Sequence, residues 1–139
     1  MKIENMKHFT IAELCRSEKA KKLNIYNEPT ATVADNLVRL VENVLDPLRI
    51  AYGKPINVNS GYRSKALNRA VGGVANSQHI EGKAADIVGT PNTKKENKML
   101  FELIQRLNLP FDQLIDESDF SWVHVSYDRN RQRKQVLKL

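Results

Sequence analysis

Phe111-Asp-Gln-Leu-Ile-Asp-Glu117, the connection Ser118-Asp-Phe-Ser121 and Trp122-Val-His124-Val-Ser126-Tyr127 run together near the end of the chain. Apolar and polar residues alternate on both sides of the connection, the pattern of two strands joined by a tight turn. In the second strand Val123, Val125 and Tyr127 point to one face, and Trp122, His124 and Ser126 to the other. The valine face is the natural core face, so His124 belongs to the opposite side. A histidine on a surface strand is usually just solvated, and His124 by itself says little.

The remaining elements are of mixed kind. Upstream, Ile56-Asn-Val58-Asn59 follows the turn at Gly53-Lys-Pro55 and reads as a short strand, and Ala84 to Val88 as another. Thr10-Ile-Ala-Glu13 has the capping-box spacing and opens a helix to about Lys22. Val33, Leu37, Leu40, Val41, Val44 and Leu48 recur at helical spacing as a core stripe, with Pro47 marking a kinked or irregular last turn. Ser60-Gly-Tyr-Arg-Ser64 is a turn before a short helix from Lys65 to Ala70. Thr93-Lys-Lys-Glu96 is a second capping box, opening a helix to about Leu107 with Met99, Leu100, Leu103 and Leu107 on its inner face. Helices and strands alternate without a βαβ rhythm. The expected fold is α+β, a small, mainly antiparallel sheet with flanking helices.

The chain has 139 residues, 41% apolar and 27% charged, with no repeat or linker, so residues 1–139 form one domain. A single cysteine, Cys15, excludes an intramolecular disulfide and a four-thiolate metal site; it reads as a small buried group. No apolar run reaches the length of a membrane span, and the start, Met1 to His8, lacks a secretory h-region. Cytoplasmic synthesis without a signal peptide is expected. The net charge is +6, of which the segment 128–139 carries +4 through Arg129, Arg131, Arg133, Lys134 and Lys138 against Asp128. That excess fits polyanionic company or a solvated tail. No aromatic platform is interleaved with it, so nucleic acid is not the expected partner.

Only three histidines exist, His8, His79 and His124. His8 has no motif around it and reads as a surface residue. His79 and Asp86 stand in Ser77-Gln-His79-Ile-Glu-Gly82-Lys-Ala-Ala-Asp86, and Gly82 supplies a turn that lets the loop histidine and the strand carboxylate converge. Asp86 shares its strand face with Ala84 and Val88, poor company for a carboxylate without a compensating cation. Two imidazoles and a carboxylate form a catalytic zinc set with a fourth position left for water. The same spacing also fits an Asp–His ion pair or a capped loop.

Ser60-Gly-Tyr-Arg63-Ser, Asn68, Gly72-Gly73, Ser77-Gln-His79-x-x-Gly82-x-Ala84-Ala-Asp86 and Trp122-Val-His124-Val-Ser together resemble the D-alanyl-D-alanine carboxypeptidase family of zinc peptidases. That family includes D-Ala-D-Ala dipeptidases and phage L-alanyl-D-glutamate endolysins, and the likeness is to its small single-domain members. It runs from about Phe9 to Tyr127. The resemblance implies a Hedgehog/DD-peptidase-like fold, one zinc ion per chain on His79, Asp86 and His124, and a substrate in the peptide stem of peptidoglycan. It makes Arg63 the residue that steadies a substrate carbonyl or carboxylate, a task suited to a rigid guanidinium fork. Ser77 matches a substrate-contacting serine, and Ser126 and Gln113 are further candidates to line the site. Without the other motifs Arg63 would read as a surface arginine; Trp122 beside the site strand reads as a residue that stacks on a ligand or packs, and Tyr62 as packing the Ser60–Ser64 turn.

The resemblance fails at the general base. Several relatives carry it three residues before the last zinc histidine, where this chain has Ser121. Of the nearby carboxylates Glu117 ranks first, Asp119 in the turn second, and Asp116 third as a solvated acid. The expectation is a monomeric zinc peptidase, a D-Ala-D-Ala carboxypeptidase or an endolysin-type endopeptidase, acting on the cell wall if phage- or prophage-encoded. The basic segment would hold it near anionic wall polymers. The alternative is a non-catalytic zinc- or wall-binding module on the same fold.

Overall fold

The structure, a computed structural model, describes residues 6–139. Residues 1–5, part of the stretch on which the absence of a leader was read, lie outside the described residues. The Thr10 hydroxyl accepts the Glu13 N–H and opens α1 (Ile11–Cys15). The single helix expected to reach Lys22 is instead two. The chain turns extended at Arg16, and the Ser17 hydroxyl accepts the Ala20 N–H to start α2 (Glu18–Leu23). Ser17 acts as a second N-cap, a role that serine fills more readily than a helix interior.

Thr30 caps α3 (Ala31–Leu40), which passes through a π-helical turn (Val41–Leu45) into α4 (Asp46–Tyr52). The widened turn is the irregularity that Pro47 foretells: proline cannot donate to the preceding turn and would crowd its carbonyl. Leu37, Leu40, Val41, Val44, Leu45 and Leu48 are fully buried along this rod. Asp46 is buried too, and its carboxylate accepts the backbone N–H groups of Lys7 and His8. His8 is exposed, as expected.

Five strands form one sheet: β1 (Asn57–Ser60), β2 (Ala84–Val88), β3 (Gln113–Glu117), β4 (Trp122–Ser126) and β5 (Gln135–Lys138), in the order β1-β2-β4-β3-β5. The first four pair antiparallel with one another, and β5 runs parallel to β3. The sheet is therefore mixed, and part of the basic segment is an edge strand rather than a solvated tail. Val123 and Val125 are fully buried against the helices, and the opposite face carries His124.

A short α5 (Lys65–Ala70), capped by Ser64, follows β1. Thr93 caps α6 (Lys94–Arg106) as read from the sequence. Its inner face differs from the expected one: Leu100 and Ile104 are buried with Glu96 and Asn97, while Met99 and Leu107 are exposed. The Asn97 side chain accepts the Gly89 N–H and donates to the Phe120 carbonyl, and these bonds fix the rotation of the helix. No helix among the described residues is long and apolar enough to cross a membrane.

Candidate metal centre

Antiparallel register places Asp86 of β2 directly opposite His124 of β4. His79 reaches the same spot from the loop before β2, which turns at Gly82 with φ +73°, a backbone angle that glycine adopts without strain. His124 Nδ1 lies 3.0 Å from Asp86 Oδ1, and His79 Nε2 lies 3.4 Å from the same oxygen. One ligand atom from each of the three residues falls within 4.8 Å of the others. The two imidazole rings meet edge to face with centroids 5.1 Å apart.

A carbonyl decides which nitrogen His79 offers. Its Nδ1 stands 2.7 Å from the Gly61 oxygen, which can only accept, so Nδ1 carries the proton and Nε2 presents its lone pair to the cluster. Gly61 itself is required by close packing, because a Cβ there would come within 2.1 Å of the Leu14 carbonyl oxygen. The Arg63 N–H donates to the His79 carbonyl at 3.0 Å and ties the Ser60–Ser64 turn to the histidine loop.

Burial pushes the Asp86 carboxyl upward, but His124 and His79 outweigh it with hydrogen bonds and charge and hold it well below the usual carboxylate range. An ionised carboxylate and two imidazoles, nearly buried and converging on one point, are a donor set that would suit a zinc-like ion. The orienting bond from His79 to Gly61 is the outer support that metal-bound histidines commonly have.

Arg63 stands beside this cluster, with Nη2 3.5 Å from Asp86 Oδ2. Its other nitrogens are occupied by the scaffold: Nε donates to Ser60 Oγ and Nη1 to Asn68 Oδ1. Asn68 is buried and is held in turn by a bond from its amide to the Val74 carbonyl. The motif contained Ser60 and Asn68, but their work on Arg63 was not legible from spacing.

The other candidates divide. Glu117, at the end of β3, lines the cleft together with Ser77, Gln113, Trp122 and the three clustered residues. Burial, helped by the Asp86 charge, pushes the Glu117 carboxyl above its ordinary value. Asp119 is not brought in. It is exposed in the turn and ion-paired with Lys94 at 2.8 Å. Asp116, read as a solvated acid, is buried on the opposite face of the strand and accepts the Phe120 N–H. Ser126 is fully buried, its hydroxyl accepting the Gln113 N–H, and it does not line the cleft. Ser121, at the usual base position, donates its hydroxyl to the Ser118 carbonyl. Cys15 is half-buried, and burial pushes its thiol up to about 11.

A family model described as peptidase M15 matches residues 7–126. The chain belongs to the peptidase M15 family. Its motifs, with His79, Asp86 and His124 at their centre, indicate the same family. Over 81 residues the M15 chain is 42% identical to the zinc D-Ala-D-Ala carboxypeptidase of Streptomyces albus G. That match takes in 58% of this chain but only 31% of the relative's length. The crystal structure of Serratia marcescens L-Ala D-Glu endopeptidase ChiX aligns with a TM-score of 0.39 at 19% identity, over 69% of this chain and 72% of that one.

One wall of the M15 cleft comes from the basic segment. Asp112, just before β3, is fully buried and receives Arg133 through Nε and Nη2 at 2.8 and 3.0 Å. It also receives Gln78 Nε2 at 3.0 Å, next in sequence to His79, and Arg131 Nε lies 3.3 Å away. Burial pushes the Asp112 carboxyl up, yet the bonds from Arg133 and Gln78 and the Arg131 charge prevail and hold it at about 2. Nothing in the period-two pattern of the sequence marks Asp112 as the anchor of a distant segment.

Proposed function

We propose that this chain is a zinc-dependent peptidase that hydrolyses an amide bond in the peptide stem of bacterial peptidoglycan. The observation that carries the reading is the convergence of His79, Asp86 and His124 at the floor of a cleft that also holds Arg63 and Glu117. Family membership and the likeness to a zinc D-Ala-D-Ala carboxypeptidase support the metal and the class of substrate. His79 through Nε2, His124 through Nδ1 and the Asp86 carboxylate would hold the ion. Bound there, zinc supplies Lewis acidity to the scissile carbonyl and to the attacking water.

The chain's own groups do the rest. Arg63, pre-oriented by Ser60 and Asn68, donates to the oxygen on which charge grows in the transition state, or to a substrate carboxylate beside it. Glu117 takes the proton of the attacking water and returns it to the leaving amine, since it is the carboxylate of the Glu117–Asp119 pair that faces the cleft. Ser77 and Gln113 line the path of the peptide, and Ser126 serves the scaffold.

Digestion of purified sacculi with the zinc-loaded protein, read by mass spectrometry, tests the reading. One defined amide should be cut, and Glu117→Gln should lower kcat by about 10²- to 10⁴-fold, the usual yield of a positioned base, while zinc content stays the same. Asp119→Asn should leave the rate near that of the parent. Ser121 in place of the usual base favours a second reading, a zinc-holding wall-binding module. Full zinc loading and retention on sacculi, with no cleavage of any stem amide, is the result that reading expects.

A further inference from the structure

The cleft carries positive charge at both ends. Arg63 follows β1 at one edge of the sheet, and Arg131 and Arg133 precede β5 at the other, with Asp86 and His124 on the central strands between them. Arg133 is spent on Asp112 as a two-pronged anchor. Arg131 touches the same carboxylate only through Nε, its side chain is 52% exposed, and among the described residues its guanidinium has no other partner. Two guanidinium groups share one carboxylate, so a full positive charge is left over on this wall. The ion pair at Nε brings the Arg131 guanidinium to this wall and leaves its outer nitrogens without a partner among the described residues.

We propose that Arg131 is a specificity residue that reads a carboxylate on the bound peptide, away from the amide that is cut. This rests on the peptidase reading above and names a feature of its substrate. Ile115 lies opposite His124, and Asp112 is three residues before Ile115. At roughly 3.3 Å per strand residue Asp112, the carboxylate that Arg131 meets, is ~10 Å along the sheet from the histidine. An extended peptide advances ~3.5 Å per residue, so the recognised carboxylate belongs to a residue roughly two to three positions from the scissile bond. A planar fork with free N–H donors suits a carboxylate and discriminates against the neutral carboxamide. Asp112 and Arg133 are positioning residues: they aim Arg131 without touching the peptide.

Two synthetic stem peptides, identical except that one acidic residue carries a free carboxylate or its carboxamide, decide the matter. Dissociation constants are measured by calorimetry on zinc-loaded protein carrying Glu117→Gln, and KM and kcat on the unaltered protein. The acid should bind about tenfold more tightly than the amide, the size of one charge-assisted hydrogen bond, with the difference in KM rather than kcat. Adding Arg131→Gln should collapse that ratio toward one, and Arg131→Lys should restore part of it. Equal affinity for the two peptides, or a ratio that survives Arg131→Gln, overturns the proposal. Should the peptides and whole sacculi all stay uncut, the peptidase reading fails, while the ratio of dissociation constants still judges Arg131.

Discussion

Small groups outside the His79–Asp86–His124 cluster set the geometry of the candidate centre. The Gly61 carbonyl fixes the proton on His79, and Asn68 and Ser60 hold the Arg63 fork. Gly73 makes room for that fork: a Cβ there would come within 2.1 Å of Asn68 Oδ1 and 3.0 Å of Arg63 Nη1. Gly73→Ala should displace Arg63 and lower kcat/KM by about 10- to 100-fold, a loss on the scale of one transition-state donor, with zinc content unchanged. Steady-state kinetics beside metal analysis checks both halves. His79, Asp86 and His124 stood out in the sequence because histidine is scarce here and a carboxylate is costly on an apolar strand face, whereas Arg63 was singled out only by the motif around it; the structure brings the four together. Ser126 misled because strand alternation gives a face and not a depth: it shares the His124 face yet is covered by the start of β3.

Among the elements, the four antiparallel strands were the most legible and β5 the least. Alternation around His124 gave β3 and β4 to within a residue or two, and Ala84–Val88 emerged intact. The segment Gln135–Lys138 escaped notice because its parallel pairing with β3 depends on Asp112, distant in sequence, capturing Arg133. In α6 the apolar residues Met99 and Leu107 pointed to the wrong face, since the polar ties of Asn97 outrank them in setting the rotation. The anchor of β5 has a pH signature. Asp112 titrates at about 2 in the folded chain, below its ordinary value, so its stabilising effect is complete above that ordinary value and fades as pH falls through about 2. Thermal melting points measured between pH 5 and pH 2 should drop along this limb. Asp112→Asn should flatten it and loosen β5, seen as faster amide exchange across residues 135–138.

For the whole molecule, the sheet separates stability from chemistry. One face buries Val123 and Val125 in the same core as α3, the π turn, α4 and α6, and the other presents His124 and Asp86 to the cleft. Substitutions on the cleft face can therefore remove function while the core stays whole, which makes metal binding separately testable. The charge of +6 is also organised, with Arg63 and Arg131 at opposite ends of the cleft. Zinc should stabilise the fold in proportion to the logarithm of its concentration above the dissociation constant, because the site exists only in the folded chain. The most direct measurement is equilibrium dialysis against zinc with metal counted per chain, for the parent protein and for His79→Ala, Asp86→Ala and His124→Ala. One tightly held zinc in the parent, and a fall in affinity of several orders of magnitude in each variant, is expected of a centre built from these three side chains. Equal zinc retention in all four proteins would contradict it.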